Sequence, residues 1–290
     1  AESDESGRVR FSSFDLPFGN YKAVETKAPK GYYSTNAEVL FNGEDYKADE
    51  TVKIVRMSET VQNVEAKASI IVTDDITDVE LPGTILKVYD NSNNLVAEIT
   101  TKDTEGKGQV ISGLTPGVTY HIVEEKAKEG YSSKVVIPDE MKDVLNRVSR
   151  TEVTFTLDDV VINKDLSNVP EAKLIKIENA FVTGTFYIDK WGDTLSSVVR
   201  TESEKYFLGD KVRWIKSKFG YKEKKLAGAE FTVYAKEEIM HPDGVTGIIY
   251  HTGDVVRTNV RTTNDLAVKT TDDKGCAGFE NMYLGTYEVR

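Results

Sequence analysis

Tyr21-Lys22-Ala23-Val24-Glu25-Thr26-Lys27-Ala28-Pro29-Lys30-Gly31-Tyr32 decides how this chain is read, because it recurs. The second copy is Tyr120-His121-Ile122-Val123-Glu124-Glu125-Lys126-Ala127-Lys128-Glu129-Gly130-Tyr131, with both tyrosines, the glycine and the fifth-place glutamate in register. A third copy opens at Leu284-Gly285-Thr286-Tyr287-Glu288-Val289-Arg290 and stops one residue before that glutamate. A motif that returns in this way makes the chain a tandem of similar modules. Alternate side chains of a strand share a face, so Tyr21, Ala23 and Glu25 point one way, as do Tyr120, Ile122 and Glu124. Those companions are core-facing in type, and a carboxylate among them is sent where carboxylates seldom stand unpaired.

Composition narrows the function classes. The 290 residues predict two or three domains. Lys and Arg total 37 against 48 Asp and Glu, a net charge of -11, which argues against nucleic acid and anionic membranes as partners. No basic cluster is expected to interrupt that balance. The single Cys276 excludes an internal disulfide, and His121, His241 and His251 are too scattered for a zinc spacing, so no metal or cofactor is expected. No apolar run approaches a membrane span. The chain starts without Met or a signal peptide and reads as a segment cut from something longer.

Outward from the repeats, three modules are expected. Residues 1–63 read as the back half of one, with the Tyr21 strand and a further strand at 51–56. Residues 64–179 read as a complete module. Its strands are expected at 69–73, 84–89, 95–100, 120 onward, 152–157 and 172–179, with Asn91-Ser92-Asn93-Asn94 as a hairpin turn and a short helix at 139–148. Residues 180–290 read as the front half of a third. Strands at 184–190 and 227–235 flank a polar-aromatic insertion at 191–226 that contains Trp191 and Trp214. Asp74-Asp75 and Asp272-Asp273 lack the ligand alternation of a calcium loop and read as solvated turns. His241-Pro242-Asp243-Gly244 is likewise a turn signal.

Three motifs then converge: Glu-Thr-Lys-Ala-Pro-Lys-Gly-Tyr at 25–32, Leu-Ala-Gly-Ala-Glu-Phe at 226–231, and Leu-Gly-Thr-Tyr-Glu-Val-Arg at 284–290. The chain resembles the B-type repeat of Gram-positive collagen adhesins, the SpaA-like or prealbumin-like pilin domain. The resemblance implies an all-β fold of tandem β-sandwich modules of the prealbumin-like (reverse immunoglobulin-like) type, with the end modules truncated. It also implies a self-formed isopeptide bond in each sandwich, between Lys on the first strand and Asn or Asp on the last, promoted by a buried glutamate or aspartate. Burial disfavours charge, so a neutral amine can attack a polarised carboxamide while the acid carries the proton to departing ammonia. This is one self-reaction, and the protein is expected not to be an enzyme.

Carried over residue by residue, the resemblance makes Glu25 and Glu124 the promoting acids, Lys190 the lysine, and Asn63 and Asn179 the acceptors. Lys190 shares strand parity with Phe186 and Ile188, and Asn179 with Ile175 and Ile177. In the complete module Thr73 is read at the lysine position, so Glu124 and Asn179 lack a nucleophile and no intramodule bond is expected there. The halves at 1–63 and 180–290 are complementary, and their association would bring Lys190 to Glu25 and Asn63. The implied role is a stalk or shaft segment of a cell-surface adhesin or pilin, extracellular and wall-anchored through parent sequence not present here. Its partners would be neighbouring modules of the same protein. The alternative is a module that binds a host matrix protein or glycan, and exposure of Trp191, Trp214, Tyr206 and Phe207 would favour it.

Overall fold

The computed structural model describes residues 1–11, 19–42, 58–134 and 152–290. The strand expected at 51–56 and the helix expected at 139–148 lie outside them. The chain divides into two compact units, residues 1–128 with 133–179, and residues 129–132 with 180–290.

In the first unit the strands are β1 (Tyr21–Val24), β2 (Glu38–Phe41), β3 (Lys67–Asp74), β4 (Ile85–Asp90), β5 (Leu95–Thr100), β6 (Gln109–Ser112), β7 (Thr119–Lys126) and β9 (Glu152–Thr156), while β8 (Tyr131–Lys134) and β10 (Lys173–Phe181) run across the division. Two four-stranded sheets form a sandwich, in the orders β6-β3-β10-β8 and β5-β4-β7-β9. The opening strand β3 lies parallel to the closing strand β10, and it is buried on both faces from Ala68 to Asp74, as its near-continuous apolar run requires. Ile70, Val72, Leu86, Val88, Ile122 and Ile177 fill the space between the sheets, each at 2% exposure or less. Each such side chain stabilises the fold by about 2 kcal/mol relative to leaving it in water. Tyr120 adds a ring stacked on Phe155 at 5.4 Å.

The repeat's glycines have a backbone reason. Gly31 and Gly130 sit at φ +89° and +85°, where a side chain is strained, and a Cβ on Gly31 would come within 3.0 Å of the Gly113 backbone. The chain leaving Gly31 is tied to the sandwich by Tyr33 N donating to Val64 O, Ile162 N donating to Ser34 O, and an isolated parallel bridge between Thr35 and Ile162.

The second unit continues with β11 (Gly184–Asp189), β12 (Trp191–Phe207), β13 (Asp210–Lys225), β14 (Glu230–Ala235), β15 (Ile239–Met240), β16 (Ile248–Tyr250), β17 (Arg257–Thr258), β18 (Asp265–Leu266), β19 (Val268–Thr270), β20 (Cys276–Met282) and β21 (Tyr287–Val289). Strand β11 pairs with β20, and β14 lies between β19 and β21. Their inner faces bury Val233, Val256, Ala277, Phe279 and Met282, with Phe186 stacked on Phe279 at 5.2 Å.

The turn at 241–244 buries His241 and Asp243. Asp243 is 1% exposed; its Oδ1 accepts from the Val245 and Thr246 N–H groups at 2.8 and 2.9 Å, its Oδ2 from the Thr246 hydroxyl, and His241 Nδ1 lies 3.0 Å from Oδ2. Burial pushes the carboxyl up, but the hydrogen bonds of Thr246 and Val245 outweigh it and hold the pKa at about 2. A folded-state pKa below the unfolded value near 3.9 stabilises above that value and is lost as pH falls toward 2. Acid titration of unfolding should therefore show about 2 kcal/mol of stability disappearing between pH 4 and 2. The Asp243→Asn variant should lack this component, and identical wild-type and variant pH profiles would refute it.

The insertion is a long two-stranded ribbon. β12 and β13 pair antiparallel from Trp191↔Lys225 to Phe207↔Asp210 around a turn at Leu208-Gly209, whose φ values of +51° and +90° give the hairpin twist that matches paired strands. One extra residue, Ser196, bulges between Leu195 and Ser197, and opposite it stands Gly220, where a Cβ would clash with Ser197 Oγ.

Candidate functional site

Strand parity delivers Glu124 to the core. Along β7, Tyr120, Ile122 and Glu124 are buried in alternation, and along β10 Ile175, Ile177 and Asn179 are. The two strands belong to opposite sheets, so Asn179 Nδ2 donating to Glu124 Oε1 at 2.7 Å bridges the sandwich through its core. Asn179 is 0% and Glu124 7% exposed. Desolvation makes such a bond both strong and costly to break on one side only.

A second pair repeats the pattern with more solvent. Asn63 Nδ2 donates to Glu25 Oε1 at 2.8 Å, and Thr35 N donates to Glu25 Oε2 at 3.0 Å. Asn63 Nδ2 also reaches Tyr33 O at 3.4 Å. Both side chains are half-buried. Each glutamate therefore meets the asparagine that the resemblance pairs with it.

The lysine position is corrected by register. In the parallel β3–β10 pair Asn179 lies opposite Asp74, while Thr73 lies opposite Glu178. Residues paired in this way point to the same face, so Asp74 is the residue beside Asn179 on the core side. The signal for this was in the chain: Asn63 to Asp74 and Asn179 to Lys190 are the same interval of eleven residues. Asp74 is also no solvated turn residue. It is 1% exposed, and its Oδ1 accepts from Ile76 N and Thr77 N, both at 2.7 Å, which organises the loop that follows. The position that the resemblance gives to the lysine thus holds an acceptor that carries no amine.

Lys190 lies just past β11 in the second unit, whereas the four Glu and Asn groups lie in the first. Its side chain is exposed, and its backbone bonds Gly275 O and Leu226 N. Cys276, half-exposed on β20, has its thiol pushed up by burial and then by the carboxylates of Asp189 and Asp272, so it is not an activated nucleophile. Among the described residues no group of three or more His, Cys, Asp or Glu is placed to hold a metal ion.

The two-sheet module with its buried Glu124–Asn179 bridge finds a counterpart among known domains. The SpaA prealbumin-like fold domain matches residues 1–60 and again 66–165. No curated protein sequence matches the chain. Among solved structures, the Bacillus anthracis TIE protein is similar at 18% identity and a TM-score of 0.42, over 99% of this chain and 38% of that one. A streptococcal ancillary pilin aligns at 16% identity and a TM-score of 0.32, over 95% of this chain and 66% of that one. The SpaE basal pilin of Lactobacillus rhamnosus GG aligns at 15% identity and a TM-score of 0.31, over 78% and 79%. The chain thus spans little more than a third of the TIE protein's length. With matches over more than half of its residues, the chain belongs to the SpaA family of prealbumin-like fold domains.

Proposed function

We propose that the chain is a stalk or shaft segment of a Gram-positive cell-surface adhesin or pilin, working outside the cell and held to the wall through its parent protein. The observation that carries this reading is the Glu124–Asn179 bridge between the two sheets, at the place where the family sets its covalent lock. A module whose opening and closing strands lie side by side and parallel is loaded in shear when pulled from its ends, which favours a role under tension. Its partners on this reading are neighbouring modules. Lys190 on one side, and Glu25 with Asn63 on the other, supply the complementary groups of one isopeptide reaction: the Lys190 amine attacks Asn63 Cγ, Glu25 relays the proton, and ammonia leaves. The reaction is a single maturation event, not turnover. Replacing residues 64–179 in the parent surface protein by a flexible Gly/Ser linker should lower adhesion under flow while leaving surface abundance unchanged. Equal adhesion under flow would overturn the stalk reading.

A second reading, direct binding of a host glycan or matrix protein, is favoured by the exposure of Trp191, Trp214, Tyr206 and Phe207, at 50%, 57%, 78% and 65%. The four rings stand on a ribbon whose strands pair with each other and, among the described residues, with no third strand.

A further inference from the structure

The β12–β13 register sorts the ribbon's side chains onto two unlike faces. Trp191, Leu195, Val198, Ile215, Phe219 and Tyr221 share one face. The charges on that face balance, with Glu204 paired to Lys211, Glu202 to Arg213, and Lys225 set over the Trp191 ring at 5.3 Å. The other face carries Lys205, Lys216, Lys218, Lys222 and Lys224, with Asp210 as its one acid. All five ammonium groups are exposed and have no ion-pair partner among the described residues.

The spacing of this face is regular. Lys216, Lys218, Gly220, Lys222 and Lys224 occupy successive same-side positions of β13, about 6.8 Å apart. Opposite them on β12 stand Thr201, Val199, Ser197, Thr194 and Gly192, short side chains that leave the lysines standing above a shallow, hydroxyl-lined track. Trp214, 57% exposed, continues the same face beyond Lys216. Residues 191–225 hold nine Lys and Arg against five Asp and Glu, in a chain whose total is -11, so the remaining residues carry -15. The expectation that no basic cluster interrupts the acidic balance therefore fails here, because a whole-chain total averages over an element that is itself cationic.

We propose that this face binds a linear anionic glycan, one bearing carboxylate or sulfate groups along an extended chain. This rests on the binding reading given above and names its ligand class. Ammonium groups at regular intervals match charges repeated along a polymer, the hydroxyl track matches a hydroxylated backbone, and Trp214 offers a ring for the apolar face of a sugar. A compact acidic protein would bring its charge against the residues carrying -15, whereas a flexible chain can follow the ribbon alone. Single-stranded nucleic acid needs aromatic platforms between its phosphate contacts. Between Lys216 and Lys224 the lysine face has none, since Phe219 and Tyr221 point to the other side.

Titration of the full chain with a fluorescent heparin oligosaccharide provides the test, alongside uncharged dextran, oligo-dT and poly-glutamate of similar length. The heparin oligosaccharide should bind more tightly than either other polyanion, and dextran should not bind. Its affinity should fall about 50-fold between 50 and 200 mM salt if four lysines each release about 0.7 of a counterion. The K216Q/K218Q/K222Q/K224Q variant should lose binding with an unchanged far-UV circular dichroism spectrum. The matching four-arginine variant should retain it, as should Phe219→Ser with Tyr221→Ser. Absent or salt-independent binding overturns the proposal, and so does equal affinity for all three polyanions. If an immobilised matrix protein captures the chain through the ribbon while heparin does not, the binding reading stands and the glycan assignment falls. If neither is bound, both fall.

Discussion

Asp74→Lys is expected to lose one ammonia more from its intact mass than the wild-type chain does under the same incubation. The substitution places an amine opposite Asn179, on the core face of the strand parallel to it. Glu124 already contacts Asn179 Nδ2, the nitrogen that must leave. Attack of the lysine nitrogen on Asn179 Cγ forms the amide, and the carboxyl passes the amine's proton to the departing group. Cross-linking residues 74 and 179 closes a loop of about 100 residues, for which the chain-entropy model gives about 4–5 kcal/mol. Against this stands the loss of the two loop hydrogen bonds that Asp74 accepts, about 1–3 kcal/mol together. The net gain is on the order of 2 kcal/mol, visible as a higher thermal midpoint in the cross-linked fraction alone. Adding Glu124→Ala should abolish this additional ammonia loss without removing either reacting group. A folded Asp74→Lys chain whose mass deficit is no larger than the wild type's after prolonged incubation would sink both the register argument and the role given to Glu124.

Breaking the Glu124–Asn179 bridge without replacing it is the second large effect. Asn179→Ala deprives a buried carboxylate of its amide donor, and Glu124→Ala deprives a fully buried amide of its acceptor. Leaving one buried polar partner behind costs about 1–3 kcal/mol for the amide and more for the carboxylate. Urea unfolding should therefore rank the variants with Asn179→Ala the less stable. The Glu124→Leu/Asn179→Leu double variant should recover much of the loss, because two apolar groups leave nothing unsatisfied. The coupling between the sites should exceed about 1 kcal/mol. Additivity within about 0.5 kcal/mol would show that the 2.7 Å contact does not hold the sheets together.

Glu124 and Asn179 were legible from the chain because a period of two determines which side chains of a strand turn inward, and both strands formed where their apolar alternation placed them. The repeat's glycines were legible as well, and their positive φ values supply the reason. Thr73 was read in place of Asp74 because the partner of Asn179 is set by register between strands about a hundred residues apart, and parity within one strand does not give the offset between two. Asp74 and Asp243 resembled solvated turn residues, since Asp serves exposed and buried turns alike and only the surrounding packing decides which. The ribbon's lysine face was hidden for a different reason. Four of its lysines recur at a period of two along β13, but a whole-chain charge of -11 averages that cationic element away. The sequence by itself determined an all-β tandem and which acids and amides turn inward, because those properties are local and periodic. Which groups meet across strands, and which β12 residues stand opposite the ribbon's lysines, was decided only by tertiary pairing, because register is a property of two segments together.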